Sequence, residues 1–199
     1  IDLVSQYVFR GVAQTDGDPT VQAYAEAALG PLSASVWASG VDFNDGTSAE
    51  IDYALAWSLP ALVVDLDIGV IHYSYSGGPE DQDFTEVFAS LGKEALGWSF
   101  AGGLHYSPEF YLATGEALYV TAGAERALGE AWSLGVNAGS TRYLDDAFSS
   151  GFSSGDYEDV GAQLSRRFGP VSLSGALTRT FGLDEDATEA IVTLGVALP

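Results

Sequence analysis

Apolar and polar residues alternate with a period of two along most of this chain. In the segment 49–59 the odd-numbered positions are mainly large and apolar, whereas Glu50 and Asp52 stand among small residues at the even positions. The same alternation is found in 62–73 and 188–198. A period of two places the two sets of side chains on opposite faces of a β-strand. A shift of one residue would turn the carboxylates toward the apolar side, so the sequence strongly specifies which face is which.

Twelve such segments can be drawn along the chain. They are residues 2–13, 20–29, 32–42, 48–59, 62–73, 84–93, 98–107, 116–126, 131–143, 156–168, 171–181 and 188–198. Short connections such as Gly30-Pro31 alternate with longer ones such as 74–83 and 144–155. Tight turns at one end and longer loops at the other are typical of outer-membrane barrels. The predicted fold class is all-β, a transmembrane antiparallel up-and-down β-barrel of twelve strands that forms a single domain over residues 1–199.

Composition restricts the class of function. The chain has no cysteine and a formal net charge of −21, from 28 acidic residues against 7 Lys and Arg. This charge disfavours binding to nucleic acid or to an anionic surface, and the absence of thiols excludes disulfides and cysteine metal sites. Two soluble alternatives stay open. One is an acidic protein adapted to high salt, and the other is a ligand-binding barrel whose apolar side chains face a cavity.

No apolar run approaches the roughly 18 residues of a membrane helix. The chain opens at Ile1 directly in the strand pattern, without a charged and then apolar leader. We therefore expect the mature form of an exported protein, without a signal peptide.

Charged residues at the polar positions of the alternating segments are the candidate lining of a pore. They are Arg10, Glu50, Asp52, Asp65, Asp67, Glu86, His105, Glu125, Asp159 and Arg167. Eight strands give an interior filled by side chains and sixteen give an aqueous channel, so twelve predict a narrow pore. The surplus of carboxylates over two arginines predicts a preference for cations. The alternative is that these charges pair with one another and close the lumen.

Two acidic segments in the connections are interpreted as turns rather than metal sites. In Asp42-Phe-Asn-Asp-Gly46 the glycine comes one position early for an EF-hand calcium loop, and Asn-Asp-Gly is a strong turn signal. Thr15-Asp-Gly-Asp-Pro19 likewise predicts a turn. No metal ligand and no cofactor is predicted. A weaker hypothesis is that acidic loop residues hold divalent cations beside lipopolysaccharide; those residues include Asp81, Asp83, Asp145, Asp146, Asp184 and Asp186.

Catalysis requires a nucleophile, a base and an orienting group within hydrogen-bond reach. The chain has only two histidines, His72 and His105, and neither lies in a recognisable nucleophile motif. By the alternation of its strand, His72 falls on the outward face, whereas His105 falls on the inward face beside Ser107. An interfacial role for His72 and a pore-lining role for His105 are therefore expected, and the protein is predicted not to be an enzyme.

Several stretches resemble a known family. The segments Tyr7–Pro19, Ala38–Tyr53, Tyr106–Phe110 and Asp156–Phe168 are similar to the signature regions of the TorF family of porins. The resemblance implies an outer-membrane β-barrel of a Gram-negative bacterium with a role in passive transport. Barrels of this kind usually end on an aromatic residue, whereas this chain ends Val196-Ala-Leu-Pro199. We therefore expect a C-terminus that is incomplete or is recognised differently during assembly.

The predicted function is that of an outer-membrane porin with a narrow, cation-preferring pore for ions or small solutes. The alternative is a plugged or structural barrel whose acidic outward loops bind cations, lipopolysaccharide or a surface partner. Expected partners are outer-membrane lipid, lipopolysaccharide and small solutes or ions, with no nucleic acid. A homo-oligomer and a surface-layer partner stay open.

Overall fold

The computed structural model describes residues 1–60, 63–144, 155–183 and 186–198, and these residues form mainly β-strands. The strands are β1 (Asp2–Val4), β2 (Val8–Phe9), β3 (Val12–Ala13), β4 (Thr20–Leu29), β5 (Leu32–Gly40), β6 (Ala49–Pro60), β7 (Asp65–Ser76), β8 (Phe84–Ala95), β9 (Trp98–Ser107), β10 (Ala117–Leu128), β11 (Trp132–Tyr143), β12 (Tyr157–Phe168), β13 (Val171–Phe181) and β14 (Thr188–Val196). A single 3₁₀ turn, Tyr111–Ala113, is described between β9 and β10. Within the described ranges, no helix has the length and apolar character needed to cross a membrane.

Twelve of these strands close into an antiparallel barrel, so the predicted fold class is confirmed. From β4 to β14, each strand pairs with its neighbours in chain order. Leu3 of β1 pairs with Leu194 of β14 on one side and with Val21 of β4 on the other, which closes the ring. Closure leaves no unpaired strand edge among these elements, since every strand has two hydrogen-bonded neighbours.

Short and long connections alternate around the barrel, as the sequence predicts. At the short-turn end, Leu29 pairs with Leu32 across a two-residue turn, and Phe168 pairs with Val171 across another. Each of these turns begins with a glycine at positive φ, which an L residue rarely adopts. Beyond the first segment, the observed strands begin and end within three residues of the predicted bounds.

The first predicted strand, 2–13, is wrong beyond Val4. The chain leaves the barrel wall after β1, and β2 and β3 pair only with each other to form an N-terminal hairpin (Val8–Ala13). Arg10 and Gly11 join the two strands with φ angles of 48° and 81°. Positive φ at both central residues is the conformation of a type I′ hairpin turn. The hairpin strands consist of apolar residues that also suit a wall strand, so their composition could not distinguish a hairpin from one long strand.

The N-terminal hairpin is held against the inside of the barrel wall by an apolar cluster. Val4, Tyr7 and Val41 are buried, and Phe9 and Trp37 pack against them. The Tyr7 and Trp37 rings lie 5.1 Å apart. These contacts fold the start of the chain into the lumen.

The barrel presents its apolar parity outward and its polar parity inward. On the outer face, Leu55, Leu177 and Val192 are 52%, 60% and 55% exposed. On the inner face, Glu50 and Glu86 are each only 1% exposed. This arrangement is the reverse of a soluble domain, in which apolar side chains are buried and charged ones are solvated.

Candidate functional site

The tip of the N-terminal hairpin places an arginine inside the lumen. Arg10 donates from Nη1 to Glu86 Oε1 at 2.9 Å and from Nη2 to Glu86 Oε2 at 2.6 Å. Both side chains are buried, with exposed fractions of 7% and 1%. A bidentate pair of this kind fixes the relative orientation of the two side chains as well as pairing their charges. It therefore joins the hairpin to the wall strand β8.

Aromatic and acidic side chains complete this layer of the lumen. The Arg10 guanidinium carbon lies 4.3 Å from the centre of the Tyr119 ring, a cation–π distance. Tyr119 donates its hydroxyl to Asp159 Oδ2 at 3.1 Å, and Tyr73 donates to Glu86 Oε2 at 3.0 Å. We call Arg10, Glu86, Tyr119 and Asp159 the constriction. All four side chains are buried or nearly so, so the lumen is narrow at this depth.

Gly11 permits the close approach of the hairpin to the opposite wall. A Cβ atom at this position would lie 2.4 Å from Thr180 Cγ2 and 2.9 Å from Asp159 Cβ. Real Cβ atoms do not come so near to another carbon, and its φ of 81° also disfavours an L side chain. Glycine is therefore required for the hairpin tip to reach the constriction.

Two further acids, Glu50 and Asp52, face the lumen from β6. Tyr75 donates its hydroxyl to Glu50 Oε1 at 3.1 Å. Glu50 Oε2 and Asp52 Oδ1 are buried, and no hydrogen-bond partner for either is found among the described residues. An ionised carboxylate is costly to bury without partners, so these two acids supply polar groups to this wall rather than an exposed negative charge.

Four predicted pore residues lie nearer the short turns. Asp65, Asp67, Glu125 and Arg167 have the inward parity of their strands. Asp65, Glu125 and Arg167 are exposed, and Asp67 is half-buried. Asp67 accepts a hydrogen bond from Ser58 Oγ. These charges therefore face the wider, water-accessible part of the lumen.

The ten residues that the sequence singles out thus form two groups at different depths. Arg10, Glu86, His105 and Asp159 meet around the hairpin tip, with His105 Nδ1 3.5 Å from Glu86 Oε2. Glu50 and Asp52 line the wall on β6 at the same end of the barrel. The remaining four residues belong to the other end. The sequence predicted a single lining, whereas the structure has a packed layer toward the long loops and a more open layer toward the short turns.

The two histidines lie on opposite faces of the barrel wall. His72 is half-exposed on the outer face, with Nδ1 3.0 Å from Thr85 Oγ1 and Nε2 4.0 Å from Asp83 Oδ2. His105 stacks on Phe88 inside the lumen. The structure therefore does not bring the two histidines together.

The sequence analysis missed a cavity at the long-loop end, which we call the vestibule. Its volume is about 820 Å³. Its aromatic lining residues are Phe9, Phe43, Tyr75, Phe84, Phe110, Tyr111, Tyr143 and Tyr157. Most of these residues lie at a strand terminus or in a loop at the long-loop end of the barrel. This recurrence of aromatic residues at one end is the signal that could have indicated the cavity.

The acidic loop beside the vestibule is a turn, as predicted. Asn44 donates its backbone N–H to Asp42 Oδ1, and Thr47 donates its backbone N–H and its hydroxyl to Asp45 Oδ1. The bonds from Thr47 lower the pKa of Asp45 below its ordinary value, since they stabilise the ionised carboxylate. Gln82 Nε2 donates to the Tyr111 hydroxyl at 2.6 Å, and burial raises the pKa of that phenol.

The segment Thr15–Pro19 is also a turn, with the Asp18 N–H donating to the Thr15 carbonyl at 2.8 Å. Across the described ranges, no group of three or more His, Cys, Asp or Glu side chains has the geometry to hold a metal ion. Asp145, Asp146 and Asp184 of the loop hypothesis lie outside the described residues.

Comparisons with known proteins agree with this architecture. The model of a bacterial protein family of unknown function, Gcw_chp, matches residues 1–195. The structure of the NanC porin is similar over 99% of both chains, with a TM-score of 0.72 and 6% identity. No curated protein matches the chain.

Two Pseudomonas aeruginosa structures, OccK11 (OpdR) and OccD3 (OpdP), are also similar. They give TM-scores of 0.51 and 0.50 at 13% and 10% identity, over 98% and 99% of this chain. The chain spans 62% and 60% of their lengths. At these identities the likeness shows the fold alone.

Proposed function

Because the chain belongs to the Gcw_chp family of bacterial proteins and has the fold of the NanC porin, we propose that it is an outer-membrane porin with a narrow, cation-preferring lumen. The observation that carries the proposal is the reversed polarity of the closed barrel, which is apolar outside and charged inside. The resemblance to the TorF porins of Gram-negative bacteria supports the same function. A channel rather than an enzyme is the function that fits this fold.

The outer face is suited to lipid. Exposed Leu, Val or Ile side chains recur on every strand of the wall, whereas a soluble monomer rarely exposes a contiguous apolar patch of more than a few hundred Å². Near the short turns, Arg126 lies over the Trp98 ring at 5.6 Å and Arg166 lies over the Trp132 ring at 5.1 Å. Tryptophan and snorkelling arginine are the residues expected at a membrane–water interface. Outer-membrane lipid and lipopolysaccharide are therefore the proposed surroundings of the barrel.

Cation preference is proposed from the unbalanced charge of the inner face. Glu86 neutralises Arg10, which leaves Arg167 as the inward arginine among the described strands. Asp65 and Asp67, which are not fully buried, add negative charge from β7, and the exposed Glu125 adds it from β10. Rings of carboxylates attract cations and repel anions in a narrow pore. Ions and small cationic or neutral solutes are accordingly the proposed cargo.

The hairpin in the lumen favours a second candidate, a plugged barrel. The buried Arg10–Glu86 pair and the tight contact of Gly11 with the wall fill the lumen at one depth. In that case conduction requires displacement of the hairpin, and the function of the resting barrel lies in its loops.

Single-channel recording separates the two candidates. The refolded protein is inserted in a planar bilayer under a potassium chloride gradient, and folding is verified by its mobility shift on heating in SDS. Discrete steps with a cation-selective reversal potential support the open porin. The plugged barrel is supported if the folded protein carries no current while a variant with a disrupted hairpin tip gives discrete current steps. Silence from both removes the channel function.

A further inference from the structure

We propose that the vestibule binds small organic cations, such as amines or quaternary ammonium compounds, through its aromatic walls and acidic rim. Binding at the long-loop end does not require conduction through the lumen.

The vestibule has the size and enclosure of a ligand site. Its volume of about 820 Å³ falls within the roughly 300–1,000 Å³ of small-molecule pockets. The N-terminal hairpin forms its floor with Phe9, Val12 and Ala13. The floor therefore separates the vestibule from the constriction.

The walls are a connected set of aromatic rings. Phe43 and Tyr75 both pack edge-on against Tyr111, with ring centres 5.9 Å and 5.3 Å away. Phe110 lies 4.7 Å from Phe84 and 5.8 Å from Tyr143. Rings packed at such angles present both edges and faces to the space between them. A cation seated on these faces is attracted by the ring quadrupoles.

Hydrogen bonds hold two of these rings in place. The Tyr111 hydroxyl accepts from Gln82 Nε2, which also donates to Thr47 Oγ1 at 2.7 Å. The Tyr75 hydroxyl is anchored on the buried Glu50 carboxylate. The ring positions are fixed before a ligand arrives, so little entropy is lost on binding.

Every charged side chain in the described lining is acidic. Asp16, Asp42 and Asp45 lie at the rim, and Asn44 and Gln14 add polar groups between them. Asn44 Nδ2 donates to Asp16 Oδ2 at 3.4 Å, which links the two rim loops. The lowered pKa of Asp45 keeps its carboxylate ionised at neutral pH. The potential at the rim therefore favours cations and repels anions.

The test compares three probes of matched shape that differ in charge. They are choline, its neutral carbon analogue 3,3-dimethyl-1-butanol and the anionic 3,3-dimethylbutyrate. Binding to the full chain in maltoside micelles is measured by saturation-transfer NMR titration. Choline is expected to bind at least about tenfold more tightly than the alcohol, since a desolvated cation–π contact is worth that much, and the carboxylate is expected not to bind. Equal binding of choline and the alcohol, or no binding of choline, overturns the proposal.

Paired variants locate the site. Tyr111→Leu and Asp45→Asn are expected to weaken choline binding at least about fivefold. Their controls are Tyr53→Leu on the outer face and Glu130→Gln in the short turn between β10 and β11, at the opposite end of the barrel. Both controls are expected to bind as the wild type does. Folding of each variant is checked by its heat-dependent mobility. Loss of binding in the controls, or unchanged binding in both vestibule variants, overturns the assignment. Choline binding by a barrel that is silent in bilayers, both as the wild type and with its hairpin tip disrupted, supports the vestibule while removing the channel function.

Discussion

Arg10 and Glu86 are 76 residues apart in the chain, yet they form a bidentate ion pair inside the lumen of the barrel. The pair joins the tip of an inserted hairpin to the wall and packs the lumen at this depth. We expect both stability and permeation to depend on it, because the same contact that holds the hairpin also fills the lumen.

Removal of one partner of this pair is expected to be strongly destabilising. Arg10→Met leaves the buried Glu86 carboxylate without its counter-charge, and we expect a loss of about 3–5 kcal/mol in the free energy of unfolding. The double variant Arg10→Met/Glu86→Gln should recover part of this loss, since no buried charge is then left unpaired. Urea titration of tryptophan fluorescence in lipid vesicles measures both. As a control, Arg142→Met breaks a partly exposed pair with Glu158 and should cost at most about 1 kcal/mol. Equal losses for Arg10→Met and Arg142→Met would contradict this account.

Gly11→Ala is expected to displace the hairpin tip. The added Cβ would lie 2.4 Å from Thr180 Cγ2, so either the hairpin or the wall must move. Gly17→Ala is a matched control, because Gly17 has nearly the same φ, 84°, and its Cβ would meet nothing within 4 Å. We expect faster proteolysis of the N-terminal segment and larger conductance steps in Gly11→Ala than in Gly17→Ala. Identical behaviour of the two variants would mean that the hairpin is not held by this contact.

The acids at the short-turn end are expected to set the ion selectivity. Asp65→Asn/Asp67→Asn removes two inward negative charges, and the reversal potential in a potassium chloride gradient should move toward zero. Asp18→Asn/Asp81→Asn removes the same charge from exposed loop positions, which salt screens over about 10 Å at 0.1 M. A smaller shift is therefore expected from the loop variant. An unchanged reversal potential in the lumen variant would refute the selectivity argument.

Adjacent residues in the middle of β12 test which face meets lipid. Leu164 points outward and Gln163 points inward, and both side chains are exposed. Leu164→Arg should lower the free energy of unfolding in vesicles by about 2–4 kcal/mol, because it places a charge in the bilayer. Gln163→Arg replaces one polar lumen side chain by another and should change it by less than about 1 kcal/mol. Similar small effects for both would indicate that the outer face is in water.

The sequence alone determined the strands and their orientation. The bounds of β4, β9 and β13 were predicted without error, because apolar and polar residues alternate locally and the turn residues mark the ends. The inward position of Glu86, Asp159 and the other strand-borne charges followed from parity, since a shift of one residue would expose carboxylates to the apolar side.

Only the tertiary structure decided where the first residues go and what they contact. Residues 8–13 suit a hairpin as well as a wall strand, so the sequence pattern could not show that the chain turns into the lumen at Arg10 and Gly11. The vestibule likewise depends on Phe43, Tyr75 and Tyr111, which three different loops and strands bring together. A period of two is a property of neighbouring residues, whereas ring closure, ion pairing and cavity shape depend on contacts between distant ones, and these form only when the barrel closes.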